Sequence, residues 1–283
     1  MGSFSSKMQA DGSFEPSSFA RWYAVPSRSN YKATAAECNE AEQVEGAKVL
    51  VVCTDNGRLK MANGKVFKSG THPTEMFVPL LHFKAAGFAF EFATFSGKRV
   101  VLEMWSFPKK DAAVAALYQE LKPQLEKPLA IEAVNATDYA GIFIPGGHGA
   151  CVDLPDSAAL GNLLHQAHSS GLPTIAICHG PAALLAASKV DGKAFPYEGY
   201  RLVSFSDRTD RMSPSIGFMP GQMPWMLQKT LKAAGLHVLN TSEKGATHVD
   251  RELITGDSPG AANALGVIAC PIIVAFAKAH QAR

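Results

Sequence analysis

No Cys-x-x-Cys pair occurs in the sequence, and its five cysteines (Cys38, Cys53, Cys151, Cys178 and Cys270) are an odd number. That excludes a disulfide framework and a paired-thiolate zinc site, and it points to a reducing compartment. No basic tract occurs either. The 27 Lys and Arg are scattered and nearly balanced by 25 Asp and Glu, for a net charge of +2. This excludes the electrostatic footprint of a nucleic-acid or anionic-membrane binder. No uninterrupted apolar run approaches the ~18 residues of a membrane span. Met1-Gly2-Ser3-Phe4-Ser5-Ser6 is not built as a basic-then-apolar leader. Internal repeats and low-complexity blocks are missing. The expectation is a soluble cytoplasmic protein with no nucleic-acid or membrane partner.

What is present is apolar content for a large core, with 47% hydrophobic residues over 283. Residues 1–46 read as a polar arm pinned to the body by Phe14, Phe19, Trp22, Tyr23 and Tyr31. Residues 47–283 read as one α/β domain, with insertions near 55–71 and 96–135. Ala47–Thr54 is a buried strand, and the Asp55-Asn56-Gly57 and Asn63-Gly64 turns make 55–71 a loop over its end. His72-Pro73-Thr74-Glu75 opens a helix to about Ala86, capped by Thr74 or its predecessors and stopped by Gly87. A strand follows at Phe88–Thr94. Residues 111–126 form a helix with Val114, Leu117, Leu121 and Leu125 on one face.

Ala140–Ile144 is a strand running into Pro145-Gly146-Gly147-His148-Gly149, and Pro155–Gly171 is a helix. Strands at Pro173–Ile177, Leu202–Phe205, Leu236–Leu239 and Leu253–Gly256 alternate with helices at 182–187, 221–235 and from Ser258-Pro259 onward. This alternation predicts a doubly wound, mostly parallel sheet with helices on both faces. Sites in such sheets lie beyond the strand C-terminal ends.

Cys178 stands at such an end. Ala176-Ile177-Cys178-His179-Gly180 is small-x-nucleophile-x-small, the pattern of a nucleophile elbow with Cys for Ser. A following helix N-terminus favours a thiolate; the plainer reading is a buried structural thiol. His179 either pairs with the thiol or bonds only to backbone. Glu75 is either a partly buried proton carrier or an exposed first-turn acid. Gly146 and Gly147 offer N–H groups to an oxyanion, or make an ordinary tight turn. His148 either lines the cleft or is a satisfied loop residue. Asp207 and Asp210 are alternative third members orienting His179, and either also suits a turn. The other histidines (72, 82, 165, 168, 237, 248, 280) show no metal-ligand spacing.

Ile144–Gly149 and Ile177–Pro181 together resemble the ThiJ/PfpI superfamily. His72–Glu75 ahead of Ala85–Phe88, Ile216–Gly221 and Leu253–Pro259 resemble its long-chain branch of heat-shock holding chaperones and glutathione-independent glyoxalase III enzymes. The resemblance spans nearly the whole chain. It implies a flavodoxin-like core with a small extra subdomain, a homodimer, and conversion of methylglyoxal or glyoxal without cofactor. Deglycation and the holding of unfolded client proteins are also implied. It places the nucleophile at Cys178, the adjacent histidine at His179, the carboxyl at Glu75 and the third triad member at Asp210. The branch's two-histidine, one-carboxylate metal site falls on Lys84, Ala89 and Leu121, with Glu120 beside the last. None of the three is a zinc ligand, so no metal is expected. A cysteine peptidase or amidase of the superfamily and a non-enzymatic holding chaperone are the alternatives. A glutamine amidotransferase is disfavoured by the lack of a downstream His-x-Glu pair.

Overall fold

The computed structural model describes residues 5–33, 44 and 46–281. Cys38 and parts of the arm (1–4, 34–43 and 45) lie outside the described residues. In chain order the arm carries β1 (Lys7–Met8), β2 (Phe14–Glu15) and α1 (Ser18–Ala24). The body follows with β3 (Lys48–Cys53), β4 (Arg58–Lys60), β5 (Val66–Lys68), α2 (Pro73–Ala85), β6 (Ala89–Thr94), α3 (Ala112–Glu126) and β7 (Leu129–Ala130). Next come β8 (Gly141–Ile144), α4 (Ala158–Ser170), β9 (Thr174–Ile177), β10 (Arg201–Leu202) and α5 (Asp207–Met212). The chain closes with α6 (Leu227–Ala233), β11 (His237–Val238), β12 (Thr247–Asp250), β13 (Leu253–Gly256) and α7 (Ala262–Gln281).

The main sheet has the order β12-β13-β9-β8-β3-β6-β7, parallel throughout except for the β12–β13 pair. Its inner strands are apolar on both faces because helices cover both. Val49, Val51, Phe143, Ile175 and Ile177 pack toward α2, α3 and α7. Leu50, Val52, Ile142, Ile144 and Ala176 pack toward α4 and the opposite layer. The stripe expected on α3 is the buried one: Val114, Leu117, Leu121 and Leu125. Ser157 caps α4 by accepting from Leu160 N–H, and Gly171 ends it at φ 65°.

Four expectations change. Residues 55–71 are not a loop: β4 and β5 form an antiparallel hairpin, and β2 of the arm adds to β5. The result is a four-stranded sheet, β1-β2-β5-β4. These strands are too short to announce themselves by alternation, and half of the pairing comes from the arm. The strands near 202 and 237 leave the main sheet and, among the described residues, pair only with each other. β12 stands at the main sheet's edge instead.

The segment after Cys178 is a 3₁₀ run over Gly180–Lys189, pressed so closely on α4 that a side chain at Gly161 would strike the Ala186 carbonyl. Finally, Pro259–His280 is long and apolar enough to span a membrane, with mean hydropathy 2.0 in its best window, half of it buried. Asn263 interrupts the run, which hides it from a count of consecutive apolar residues. In the fold this helix is a core layer: Leu265, Ala269, Cys270 and Ile273 are fully buried against the sheet and α2.

Candidate active site

Cys178 is the first residue beyond β9. Its N–H donates to Gly256 O (2.8 Å), its carbonyl accepts from Phe205 N–H (2.9 Å), and its φ is 60°. Arg251 is the only other non-glycine with positive φ among the described residues. Such a conformation costs ~1–3 kcal/mol and persists where neighbours dictate it. Here they do, because a side chain at Gly180 would collide with the Ile144 carbonyl. The elbow is therefore real geometry and not only a spacing.

The elbow aims the thiol at its neighbour. Cys178 Sγ lies 3.3 Å from His179 Nδ1, and His179 Nε2 lies 3.1 Å from Asp210 Oδ2. An Asp210 carboxylate has no proton to give, so His179 donates from Nε2, which leaves Nδ1 free to accept from the thiol. Asp210 reaches the site because Ser206 caps α5, accepting from Thr209 N–H, and places Asp210 in the buried first turn. Asp207 faces away: its oxygens accept from Gln228 N–H (2.7 Å) and Lys229 N–H (3.0 Å) at the start of α6. Of the two aspartates, Asp210 is the one in contact with His179.

His148 also joins this group. Its Nε2 lies 2.9 Å from the second oxygen, Asp210 Oδ1. Burial would raise the Asp210 carboxyl, but the two imidazoles outweigh it and hold the group well below the usual carboxylate range. Burial likewise pushes His148 down, but Asp210 and Glu103 reverse this and its net shift is upward. Burial and the neighbouring His148 push His179 down, against the pull of Asp210. The two histidines are thus shifted in opposite directions, His148 toward its charged form and His179 toward its neutral one. Phe205 stacks on His179, with ring centroids 4.7 Å apart.

Glu75, in the first turn of α2, is fully buried, and both its oxygens lack a hydrogen-bond partner among the described residues. Its nearest polar neighbours are the Cys178 thiol and the Gly147 N–H, which stand beside it without full hydrogen-bond geometry. Burial raises the Glu75 carboxyl well above its ordinary range. Burial and then Glu75 raise the Cys178 thiol. A charge on either opposes a charge on the other, so the two groups titrate as a coupled pair. Burial thus opposes the thiolate that a following helix N-terminus would favour. Gly147 (φ 94°) lines the cleft and turns its N–H toward both groups. Gly146 does not line it and serves by its size, since a side chain there would occupy the space of Glu75 and Cys178 Cβ.

Two cleft residues escape a reading of the sequence. Glu103 is buried and raised to about 7 by burial, against the stabilising His148 and the Ser69 hydroxyl, which donates at 2.8 Å. It is a lone acid in a stretch with no motif. His72 opens the His72–Glu75 motif, yet nothing in the spacing gives it a role of its own. The cleft measures about 340 Å³ and is walled by Trp105, Phe205, Ile216 and Phe218. The arm closes one side with Tyr23–Pro26 and is anchored by Ser17 N–H to Gly217 O (2.9 Å) and Asn30 Nδ2 to Gly260 O (2.7 Å).

The DJ-1/PfpI family pattern matches residues 65–196. The Protein/nucleic acid deglycase HchA of Escherichia coli O157:H7 is 41% identical over 233 residues, which are 81% of each chain. The chain belongs to the DJ-1/PfpI family. Among solved structures, Rapid Encystment Protein 24 kDa of Francisella tularensis superposes with TM-score 0.69 at 20% identity, covering 80% of this chain and 99% of that one. Glyoxalase III of Candida albicans superposes with TM-score 0.64 at 19% identity, covering 79% and 97%. Both share the fold.

In this DJ-1/PfpI member the positions implied for a metal do not suit one. Lys84 Nζ is ion-paired with Glu120 on the surface, Ala89 is exposed, and Leu121 is buried in the α3 stripe. A shifted site is also spent: His82 Nε2 meets Asn263 Oδ1 (3.1 Å), and Glu91 accepts from Lys48 Nζ (2.7 Å) and Tyr139 OH (2.7 Å). Among the described residues, three ligand-type atoms converge at His148, His179 and Asp210, within 4.8 Å of one another. The hydrogen bonds from the two imidazoles to Asp210 account for that convergence.

Proposed function

We propose that this chain is a glutathione-independent glyoxalase III, turning methylglyoxal into D-lactate at Cys178. The observation that carries this reading is a thiol with two proton carriers: His179 at 3.3 Å on one side and the unpartnered Glu75 carboxyl on the other. Acyl transfer alone needs a nucleophile, a base and an orienting acid. An internal redox isomerisation needs one acid–base group more, and Glu75 supplies it.

The thiol proton passes to His179 as sulfur adds to the aldehyde carbon C1, giving a hemithioacetal whose oxygen is met by the Gly147 N–H. Glu75 as carboxylate removes the C1 proton while the proton held by His179 passes to the C2 oxygen, leaving an enediolate, and Glu75 then returns its proton to C2. C1 is thereby oxidised to a thioester and C2 reduced to an alcohol, with no outside oxidant. Water activated by neutral His179 cleaves the thioester, releasing lactate and restoring the thiol. Glyoxal follows the same course to glycolate. Addition of the same thiol to an early carbonyl adduct on an amine would underlie deglycation, the activity named for the Escherichia coli relative.

The test is D-lactate formed from methylglyoxal without glutathione by wild type, and its loss in Cys178→Ser. Peptide hydrolysis without lactate would favour the peptidase reading. A holding-chaperone activity is a second reading favoured by one feature: Trp22 and Tyr23 on α1 are 80% and 70% exposed. It predicts that Trp22→Ser with Tyr23→Ser weakens suppression of client aggregation while Cys178→Ser leaves it intact. A homodimer belongs to the proposal and is read by analytical ultracentrifugation.

A further inference from the structure

Helix α2 starts without a side-chain cap. A Ser, Thr, Asp or Asn at the N-cap would take a free N–H of the first turn, and an acid three residues on would reach back to the cap's own N–H. Here the N-cap is His72, which makes no cap bond, and the acid is Glu75. The His72 N–H is satisfied from elsewhere, by the Gly146 carbonyl at 2.9 Å. Both side chains are thus released from capping the helix. Three residues apart they share one helix face, and both line the cleft. His72 Nδ1 and both Glu75 oxygens are buried without a hydrogen-bond partner among the described residues. The other buried polar groups of the cleft are spent: His148 and His179 on Asp210, and Glu103 on Ser69.

We propose that His72 is a substrate-contacting residue whose neutral imidazole donates a hydrogen bond to the C2 oxygen of a bound 2-oxoaldehyde. The proposal rests on the isomerase reading above, in which C1 is held by Cys178 and its oxygen by the Gly147 N–H. As the C1 proton leaves, negative charge grows on the C2 oxygen, and His72 is the unspent donor on the face that carries Glu75. No bond to His72 forms or breaks. Its neutrality suits a donor in this position, because burial, with His148 and His179 nearby, pushes its pKa down to about 3. A neutral imidazole polarises a carbonyl without adding a positive charge to a cleft that already holds two histidines.

The experiment compares wild type, His72→Leu and His72→Asn in lactate formation, Cys178 alkylation by iodoacetamide, and thermal melting. His72→Leu is expected to lower kcat by ~10²-fold or more, the usual loss of one oxyanion donor. His72→Asn, whose amide still donates, is expected to recover at least ~10-fold of that loss. Both should melt at or above wild type, because an unpartnered group is being removed. Both should alkylate at the wild-type rate. Propanal forms the C1 hemithioacetal but has no C2 oxygen, so its inhibition constant should not change in His72→Leu. A His72→Leu enzyme within threefold of wild type would overturn the proposal. So would equal losses in Leu and Asn, slowed alkylation, or weakened propanal inhibition. If wild type forms no lactate, the isomerase reading itself falls; turnover with an indifferent His72→Leu removes only the role of His72.

Discussion

The two ends of α2 follow opposite rules. At the C-terminal end every requirement of a stable helix is met. Ala86 N–H returns to His82 O (3.1 Å), Gly87 N–H to Lys84 O (2.9 Å), and Gly87 turns away at φ 91°. His82 bonds to Asn263 and meets the edge of the Tyr31 ring, and Lys84 pairs with Glu120. At the N-terminal end the cap is absent, a carboxyl is buried without partners, and an imidazole nitrogen is orphaned. Each such group costs ~1–3 kcal/mol. One helix thus carries a region that answers only to stability and another that gives stability up. Broken local rules of this kind concentrate at sites that do chemistry.

The sharpest way to press that contrast is at the thiol. Cys178→Ser should lose glyoxalase activity by at least ~10³-fold, because an alcohol is a far weaker nucleophile in this setting. The fold should be unaffected, since the elbow's φ is imposed by its surroundings. Retained lactate formation would place the chemistry elsewhere. Glu75→Gln comes next, with an expected loss of ~10²-fold or more, since an amide cannot take and return a proton. Iodoacetamide should still reach Cys178 in this variant. A near-wild-type rate would move the proton shuttle to His179.

Asp210 and Asp207 repeat the same contrast within one turn of α5. Asp210→Asn should cost ~10²-fold in activity by loosening His179 and His148. Asp207→Asn should leave the rate within about twofold and cost ~1 kcal/mol of stability, by losing one of two bonds to the start of α6. The acid limb of stability carries a sign that checks this. The Asp210 pKa is depressed on folding, so its contribution is present above about pH 4 and is lost as pH falls below that. Asp210→Asn should therefore flatten acid unfolding there.

Legibility in the sequence divides along similar lines. The inner strands are readable because strands covered on both faces are continuous apolar runs, as in Val49–Cys53 and Thr174–Ile177. Cys178 is readable because its small neighbours at Ala176 and Gly180 are a local steric demand. The β4–β5 hairpin is not, since its partner strand lies some fifty residues upstream in the arm. The residue pattern by itself does not tell Asp210 from Asp207, because the contact depends on where α6 begins in space. His72 is invisible for a related reason: only the Gly146 carbonyl, brought in from the β8 turn, shows that its backbone needs no help from Glu75.

The smallest effects are expected at the satisfied end of α2. Lys84→Met should change stability by at most ~1 kcal/mol, the value of an exposed ion pair, with Glu120 simply returning to solvent. It should not change the rate of lactate formation. The same end carries the metal expectation. An ammonium at Lys84, a methyl at Ala89 and an isobutyl at Leu121 supply no zinc donor, and the lysine charge opposes a cation. Nearby donors are committed: His82 faces α7 at Asn263, and Glu91 holds Lys48 and Tyr139. Dialysed protein should therefore carry no stoichiometric zinc, and EDTA should leave turnover unchanged. About one zinc per chain by elemental analysis, or activity lost to EDTA and restored by zinc, would break the contrast, for the quiet end of the helix would then be a site as well. His148, His179 and Asp210 give such a result a second place to be looked for. Zinc that disappears in Asp210→Asn but not in Lys84→Met would locate the ion at these three residues.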